Sequence, residues 1–403
     1  MAPNLRHLHC FREIVRLGSL SAAARSVHMS QPAVTQAVAG LEAFFGAPLL
    51  NRRSSGASPT PAGDICAARA ERALNQLREA LFEAGGNGRG DATRLVRSGQ
   101  LDALGAVVEF GNFSVAARAQ RTSQSNVHRS ARDLERTLGV PLFEKTSFGV
   151  TPTREAERLA RRVKLAFHEL SQAQAEIQAL HGAKSGRTVI AALPLARSYL
   201  VPAALLEFSR LHPGHAVEVI DGTYANLLAG LRSGESDVLI GALRDPAPAP
   251  DVVQEHLFDD PLAIIARAGH PLARRRPTVA ALLKYEWIAP RRGSPLRTHF
   301  DALLASRGQE RPEPSLQCNS LGAARAFLLE SDRLMLLSAH QIHYDMAAGL
   351  LVALPHPSGN VTRPIGLTLR RDWHPTTAQQ RLLEVLRRVA RAAAASHAPV
   401  KSG

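Results

Sequence analysis

Three side chains, Gln31, Thr35 and Gln36, have counterparts in Gln124, His128 and Arg129 at a constant offset of 93 residues. A glutamine amide offers a donor and an acceptor side by side, which matches the N6/N7 edge of adenine. An arginine guanidinium matches guanine O6 and N7 with two parallel bonds. Between these positions the first copy has Pro32 and Ala33 and the second Ser125 and Asn126, and a serine, Ser30 or Ser123, stands just ahead of each set. Downstream, Arg52 and Arg53 in NRRSSGASPTPAG and Lys145 in EKTSFGVTPTREA put cations in short glycine-containing segments. Cations there suit phosphates, which position a protein on a duplex without reporting its sequence.

Helices must carry these residues. The stretch SQPAVTQAVAGLEAFFGAPLL, residues 30–50, aligns without a gap on SQSNVHRSARDLERTLGVPLF, residues 123–143. Val34, Val38, Leu41 and Phe45, or Val127, Ala131, Leu134 and Leu138, recur at spacings of three and four, the signature of one buried helical face. The leading serine can accept from unpaired first-turn N–H groups, and Pro32 costs nothing where no intrahelical partner exists. Gly46 and Gly139 stop the helix, and Pro48 and Pro141 keep it stopped. Upstream, Leu20–Val27 and Phe113–Gln120 predict a shorter helix in each copy, so each copy reads as a helix-turn-helix whose second helix fits a major groove. The basic segment that follows predicts a hairpin, or wing.

Each repeat resembles the winged helix-turn-helix of LysR-type transcriptional regulators, whose hallmark runs A-A-x-x-x-x-x-S-Q-P-A-V-S-x-x-I-x-x-L-E-x-x-L-G-x-P-L-F. The first repeat has Ala23, Ala24, Ser30, Gln31, Pro32, Ala33, Val34, Leu41, Glu42, Gly46, Pro48 and Leu49. The second departs at Ser125 and Asn126 but has Ser123, Gln124, Leu134, Glu135, Gly139, Pro141, Leu142 and Phe143. An ordinary member of that family has one such module, and this chain has two. The amphipathic runs Asp64–Ala84 and Arg154–His181 resemble the family's linker helix, normally a dimerisation element.

The remaining composition sets bounds. The 403 residues leave room for two or three domains. Net charge is +14, yet residues 1–183 hold 23 basic and 16 acidic side chains and the rest 26 and 19, so the excess is spread evenly. The motif, not the charge, carries the argument for a nucleic-acid partner. Cys10, Cys66 and Cys318 form no metal or disulfide spacing and read as small apolar residues in a reducing compartment. No secretory or membrane-spanning apolar run is present, so a soluble cytoplasmic protein is expected. The absence of GxSxG, Walker and HExxH patterns argues against an enzyme, and no metal or cofactor is expected.

From Arg187 the pattern changes to strands alternating with helices. RTVIAAL, HAVEVIDG, SDVLIGAL and LAIIARAGHPL predict strands of a first α/β half, and YEWIAP, SLQCN, RLMLLSA and GLLVALP those of a second. Such βαβ units imply a parallel sheet, with ligands taken at the strands' carboxyl ends. The pattern resembles the LysR-type effector domain, a two-lobed α/β fold like a type 2 periplasmic binding protein, and ALPLARSYLVPAALLEFSRLHPG is most similar to members related to the galactose-binding-protein regulator. The expected fold is therefore multidomain. A first module covers 1–84, a Gly-rich linker 85–93, a second module 94–183 and an effector domain 184–403. Its first lobe takes about 187–265 and 356–403, and its second about 266–355. The resemblance points to Pro194, Arg197, Ser198, Thr223, Arg292, Gly293, Ser294, Asn319 and Ser320 as the effector site, with Ser198 and Ser294 at helix starts in opposite lobes. It implies a transcriptional regulator that binds double-stranded DNA, answers to a small molecule and oligomerises through the effector domain. An architectural DNA-binding protein with a ligand-free oligomerisation domain stays open beside it, as does a binding-protein-like carrier or enzyme.

Overall fold

The computed structural model describes residues 3–53, 56–85, 91–147, 149–182, 186–274, 276–305 and 314–396. Two compact units divide the chain near Arg187.

The first unit contains the same module twice. Module one is α1 (Leu5–Leu17), α2 (Leu20–Ser26), α3 (Gln31–Phe45), the hairpin β1 (Leu50–Arg53) and β2 (Gly56–Pro59), and α4 (Pro61–Glu83). Module two is α5 (Ser98–Phe110), α6 (Phe113–Ala119), α7 (Gln124–Leu138), the hairpin β3 (Phe143–Thr146) and β4 (Gly149–Pro152), and α8 (Arg154–Leu180). Gly18, Gly46, Gly111 and Gly139 end their helices in the left-handed conformation, with φ between +60° and +76°. The long helices start where a threonine caps them. Thr60 Oγ1 accepts from Gly63 N–H at 3.0 Å, which begins α4 at Pro61 rather than at the expected Asp64. The expected start of module two, Arg94, ends a single 3-10 turn, Ala92–Arg94, and the first helix waits for Ser98. Most of the Gly85–Gly90 break and of the 182–186 hinge lies outside the described residues.

Helices α4 and α8 pack along their lengths. Leu74, Leu77 and Leu81 and Leu159, Val163, Leu170 and Ile177 are buried in one core that runs through both modules. Ion pairs at each end make the pair antiparallel: Arg69 to Glu176 at 2.9 Å, and Arg162 to Glu83 at 3.2 Å. Arg69 also reaches Glu169 at 2.9 Å, both side chains being almost fully buried.

The second unit holds β5 (Arg187–Ala192), α9 (Pro194–Ser198), α10 (Leu200–Leu211), β6 (Ala216–Ile220), α11 (Tyr224–Ser233), β7 (Val238–Ala242) and β8 (Val252–Arg267). These are followed by α12 (Val279–Leu282), β9 (Trp287–Ala289), α13 (Pro295–Ala305), β10 (Leu316–Gln317), α14 (Leu321–Leu329), β11 (Leu334–Ser338) and α15 (His343–Ala347). The unit closes with β12 (Leu351–Leu354), β13 (Thr362–Arg370) and α16 (Thr377–Ser396). Among the described residues the strands run β10-β9-β11-β8-β13-β7-β5-β6, with β12 alongside β8. The sheet is mixed rather than all parallel. β5 and β7, and β9 with both β10 and β11, are parallel pairs, while β13 and β8 run antiparallel to their neighbours.

Strand β8 serves both lobes. β8 pairs β13 through Pro261 and turns to β11 and β12 from Leu262. The change of lobe therefore falls near Asp260 and the return near Thr362, not at the expected 265/266 and 355/356. A buried pair stands at that crossing, Arg363 Nε to Asp260 Oδ2 at 3.0 Å, and Ser338 Oγ donates to the same carboxylate.

Candidate DNA interface and effector cleft

Helices α3 and α7 start alike. Ser30 Oγ accepts from Ala33 N–H at 3.4 Å and Ser123 Oγ from Asn126 N–H at 3.2 Å. Other first-turn N–H groups and the positive helix end stay available to a phosphate. On α3, Gln31, Pro32 and Gln36 are exposed, whereas Ala33 and Thr35 are half-buried. The Thr35 hydroxyl donates to the Gln31 carbonyl at 3.2 Å. On α7, Gln124, Ser125, Asn126, His128 and Arg129 are all exposed. Neighbours fix several of them: Ser114 Oγ donates to Gln124 Oε1 at 2.9 Å, and Asn126 Nδ2 donates to Thr122 Oγ1 at 3.3 Å. The Ser123 and Ser125 hydroxyls lie 3.0 Å apart, and the His128 ring meets the Phe113 ring edge-on at 5.1 Å. Groups held in this way lose less rotational freedom when they meet a base edge.

In the wings, Arg52 and Arg53 lie on β1 opposite Ala57 and Gly56, and their side chains lie outside the described residues. Lys145 is exposed on β3 opposite Val150. Two acids position these wings. Glu42 Oε1 accepts from Leu49 N–H at 2.9 Å, and Glu135 Oε1 accepts from Leu142 and Phe143 N–H at 2.8 and 3.1 Å. Sequence reasoning gave neither glutamate this role. The available signal was an acid kept in both copies on a helix that would otherwise face a polyanion.

In the second unit the nine expected effector residues follow strand ends, and Thr223, Ser294 and Ser320 among them cap helices. Thr223 Oγ1 accepts from Asn226 N–H at 3.3 Å ahead of α11, and Ser320 Oγ from Ala323 N–H at 3.3 Å ahead of α14. Ser294 Oγ accepts from Arg297 N–H at 3.2 Å and donates to the Arg291 carbonyl at 2.8 Å. Arg292 and Asn319 are exposed, and Gly293 turns with φ +76°. Pro194 opens α9, and Arg197 pairs with Asp221 after β6. Ser198 corrects an expectation. It ends α9, and its hydroxyl donates to the Pro194 carbonyl at 3.1 Å, because the chain breaks at Tyr199 before α10 begins.

That break exposes a contact the sequence hid. Tyr199, from the first lobe, stacks on His340 at 5.7 Å between ring centroids and lies 4.9 Å from the His343 ring, both beyond β11 of the second lobe. Among the described residues no three His, Cys, Asp or Glu side chains gather as a metal site. Cys10 and Cys66 are buried thiols, pushed up to about 11 and about 12 by burial, as small apolar residues would be.

The model of the bacterial regulatory helix-turn-helix proteins of the lysR family matches twice, over residues 5–64 and 98–157, and that of the LysR substrate binding domain matches residues 181–391. The chain belongs to the LysR family. As a LysR-type regulator it binds DNA and answers to a small-molecule effector in its C-terminal domain. The HTH-type transcriptional regulator GalR of Pseudomonas putida is 33% identical over 387 residues, 96% of this chain and 97% of that one. The regulator PcaQ of Agrobacterium fabrum is 30% identical over 68% of this chain and 89% of its own. In fold, this LysR-type chain is similar to ArgP of Mycobacterium tuberculosis, with a TM-score of 0.54 at 19% identity over 72% of this chain and 96% of that one. No helix among the described residues is long and apolar enough to cross a membrane.

Proposed function

We propose that both modules of one chain bind the same duplex, with α3 and α7 in successive major grooves, as the paired half-sites of an ordinary dimer are bound. The observation that carries this is the antiparallel packing of α4 on α8 within one polypeptide, which gives a single chain the linker-helix pair two chains would otherwise supply. Gln31, Gln36, Gln124, Asn126, His128 and Arg129 read base edges. Ser30, Ser123, Arg52, Arg53 and Lys145 hold phosphates, while Pro32, Ala33, Thr35 and Ser125 line the groove contact. The effector sits between the lobes among Arg197, Thr223, Arg292, Ser294, Asn319 and Ser320, and its work is to shift the populations of two lobe arrangements rather than to be transformed. Exposed Leu206 and Leu211 on α10 and Val219 on β6 support self-association of the C-terminal domain.

The test is footprinting of the full chain with and without a metabolite that raises its melting temperature, since a ligand of the native state must stabilise it. Protection of two adjacent half-sites per chain, altered by that metabolite, is expected. Protection of one half-site per chain refutes the tandem reading. A Ser294→Ala, Ser320→Ala double variant that keeps a full response refutes the cleft.

A further inference from the structure

The two recognition helices share length, caps and position, but not chemistry. Along the exposed face of α7 a groove is lined by Gln124, His128, Arg129, Arg132 and Arg136. Subtracting the repeat offset, α3 presents Gln31, Thr35, Gln36, Ala39 and Ala43 at the same places. An amide, an imidazole and three guanidiniums thus stand against two amides, a hydroxyl and two methyl groups. The contrast is built into the packing. At the α3 position matching Asp133, Gly40 lies so near α1 that a Cβ there would come within 3.1 Å of His7 Nδ1. Asp133 in turn pairs with Arg136 at 3.0 Å, while Glu135, whose counterpart on α3 is Glu42, pairs with Arg132 at 2.7 Å, so the acid that α3 lacks is the partner of Arg136.

We infer that this protein's operator is directional. One half-site, read by α7, presents guanine to Arg129, and the other, read by α3, is A·T-rich. This rests on both modules binding DNA. Arg129 lies on the early turns of its helix, where a recognition helix meets base edges, and a guanidinium bonds guanine O6 and N7 together. Arg132 and Arg136 lie later, where the helix leaves the bases for the backbone. On α3, Gln31 and Gln36 suit adenine, and the Ala33 and Thr35 methyls suit the thymine methyl. Two identical chains meeting as an ordinary dimer read a palindrome and have no direction on it. This chain carries two unlike readers in fixed order, so a site has a head and a tail, and a promoter beside it has a defined side.

In vitro selection with the full chain tests this. Two unlike half-sites one helical turn apart are expected, one carrying guanine and one A·T-rich. Fluorescence titrations then compare DNA bearing that pair with DNA bearing either half-site twice. The mixed pair binds at least tenfold more tightly. Equal affinity for the three, or selection of two alike half-sites, overturns directionality. Recovery of a single half-site, or no sequence preference, overturns the tandem reading beneath it instead. Arg129→Ala relaxes preference at one position of the guanine half-site only, and Gln36→Ala at one position of the other. Uniform weakening by Arg129→Ala would make it a phosphate contact and remove the reader this inference assigns. Arg136→Ala weakens all sequences and lowers the slope of log K against log salt by about 0.9.

Discussion

His9 sits on α1 with Nε2 2.9 Å from Thr93 Oγ1, a residue of the segment leading into module two. Burial, helped by the nearby Arg12 charge, pushes its pKa down to about 4 from 6.5. Because the unfolded chain takes up this proton more readily, the fold loses stability as pH falls from about 6.5 toward 4. The loss is about 1 kcal/mol by pH 5.5 from this residue alone. His270, His299 and His356, whose pKa values burial also lowers, act in the same direction. Urea midpoints at pH 7.5 and 5.5 should differ less for His9→Gln, which keeps a side chain able to bond Thr93 and cannot titrate. An unchanged difference would refute His9 as a source of the acid sensitivity. A second residue-scale prediction concerns Gly63, where a Cβ would stand 2.1 Å from the Leu49 carbonyl oxygen. Gly63→Ala should cost about 1–3 kcal/mol by overpacking, although module two carries Ala156 at the matching position. A thermal shift within error of zero would show that the hairpin yields there.

Between elements, the packing of α4 on α8 concentrates its charge at Arg69. This side chain is 3% exposed and bonds Glu169 and Glu176, while Arg72 shares Glu169 at 3.1 Å. Breaking a buried pair leaves an uncompensated charge, so Arg69→Ala should cost about 3–5 kcal/mol. Arg69→Met with Glu169→Leu should cost much less, because neither charge is then stranded. Chemical denaturation of the two variants decides; equal losses would mean that packing, not charge, holds the seam. The helices themselves were legible in the sequence, because serine or threonine caps, left-handed glycines and spacings of three and four act locally. The pairing of Arg69 with acids 100 and 107 positions away was not, since no local pattern reports a partner so distant. Nor did alternation reveal β13 or the first half of β8. The residues of β8 face different neighbours as that strand passes from one lobe to the other, and in β13 Pro364 interrupts the apolar run. The residues proposed to face DNA were chosen from types and spacing. The Tyr199 contact with His340 and His343 was not legible there, because only the folded crossing of β8 and β13 brings the lobes together.

At the scale of the whole chain, the repeat, on the reading proposed above, lets one polypeptide do the work of a dimer. The connection between modules folds back on its own molecule: Thr93 meets His9, and Ser98 Oγ donates to the Pro3 carbonyl at 2.6 Å. An exchange of α8 between two chains would need a path for residues 91–98 that keeps these contacts or abandons them. With both modules on DNA, as proposed, tethering would make the second module's arrival an intramolecular step, at an effective concentration around millimolar for a short flexible connection. A fragment of residues 1–182 should therefore sediment as a monomer at micromolar concentration and still protect two half-sites. Residues 1–84 alone, with the apolar side of α4 uncovered, should dimerise or bind DNA weakly. A stable dimer of the longer fragment before DNA is added would mean that α4 meets α8 of another molecule. The full regulator would then present four recognition helices per exchanged pair. If the fragment is monomeric and protects one half-site, the pairing stands but one module is idle, and the Arg129→Ala and Gln36→Ala variants identify which, since only the working helix loses affinity.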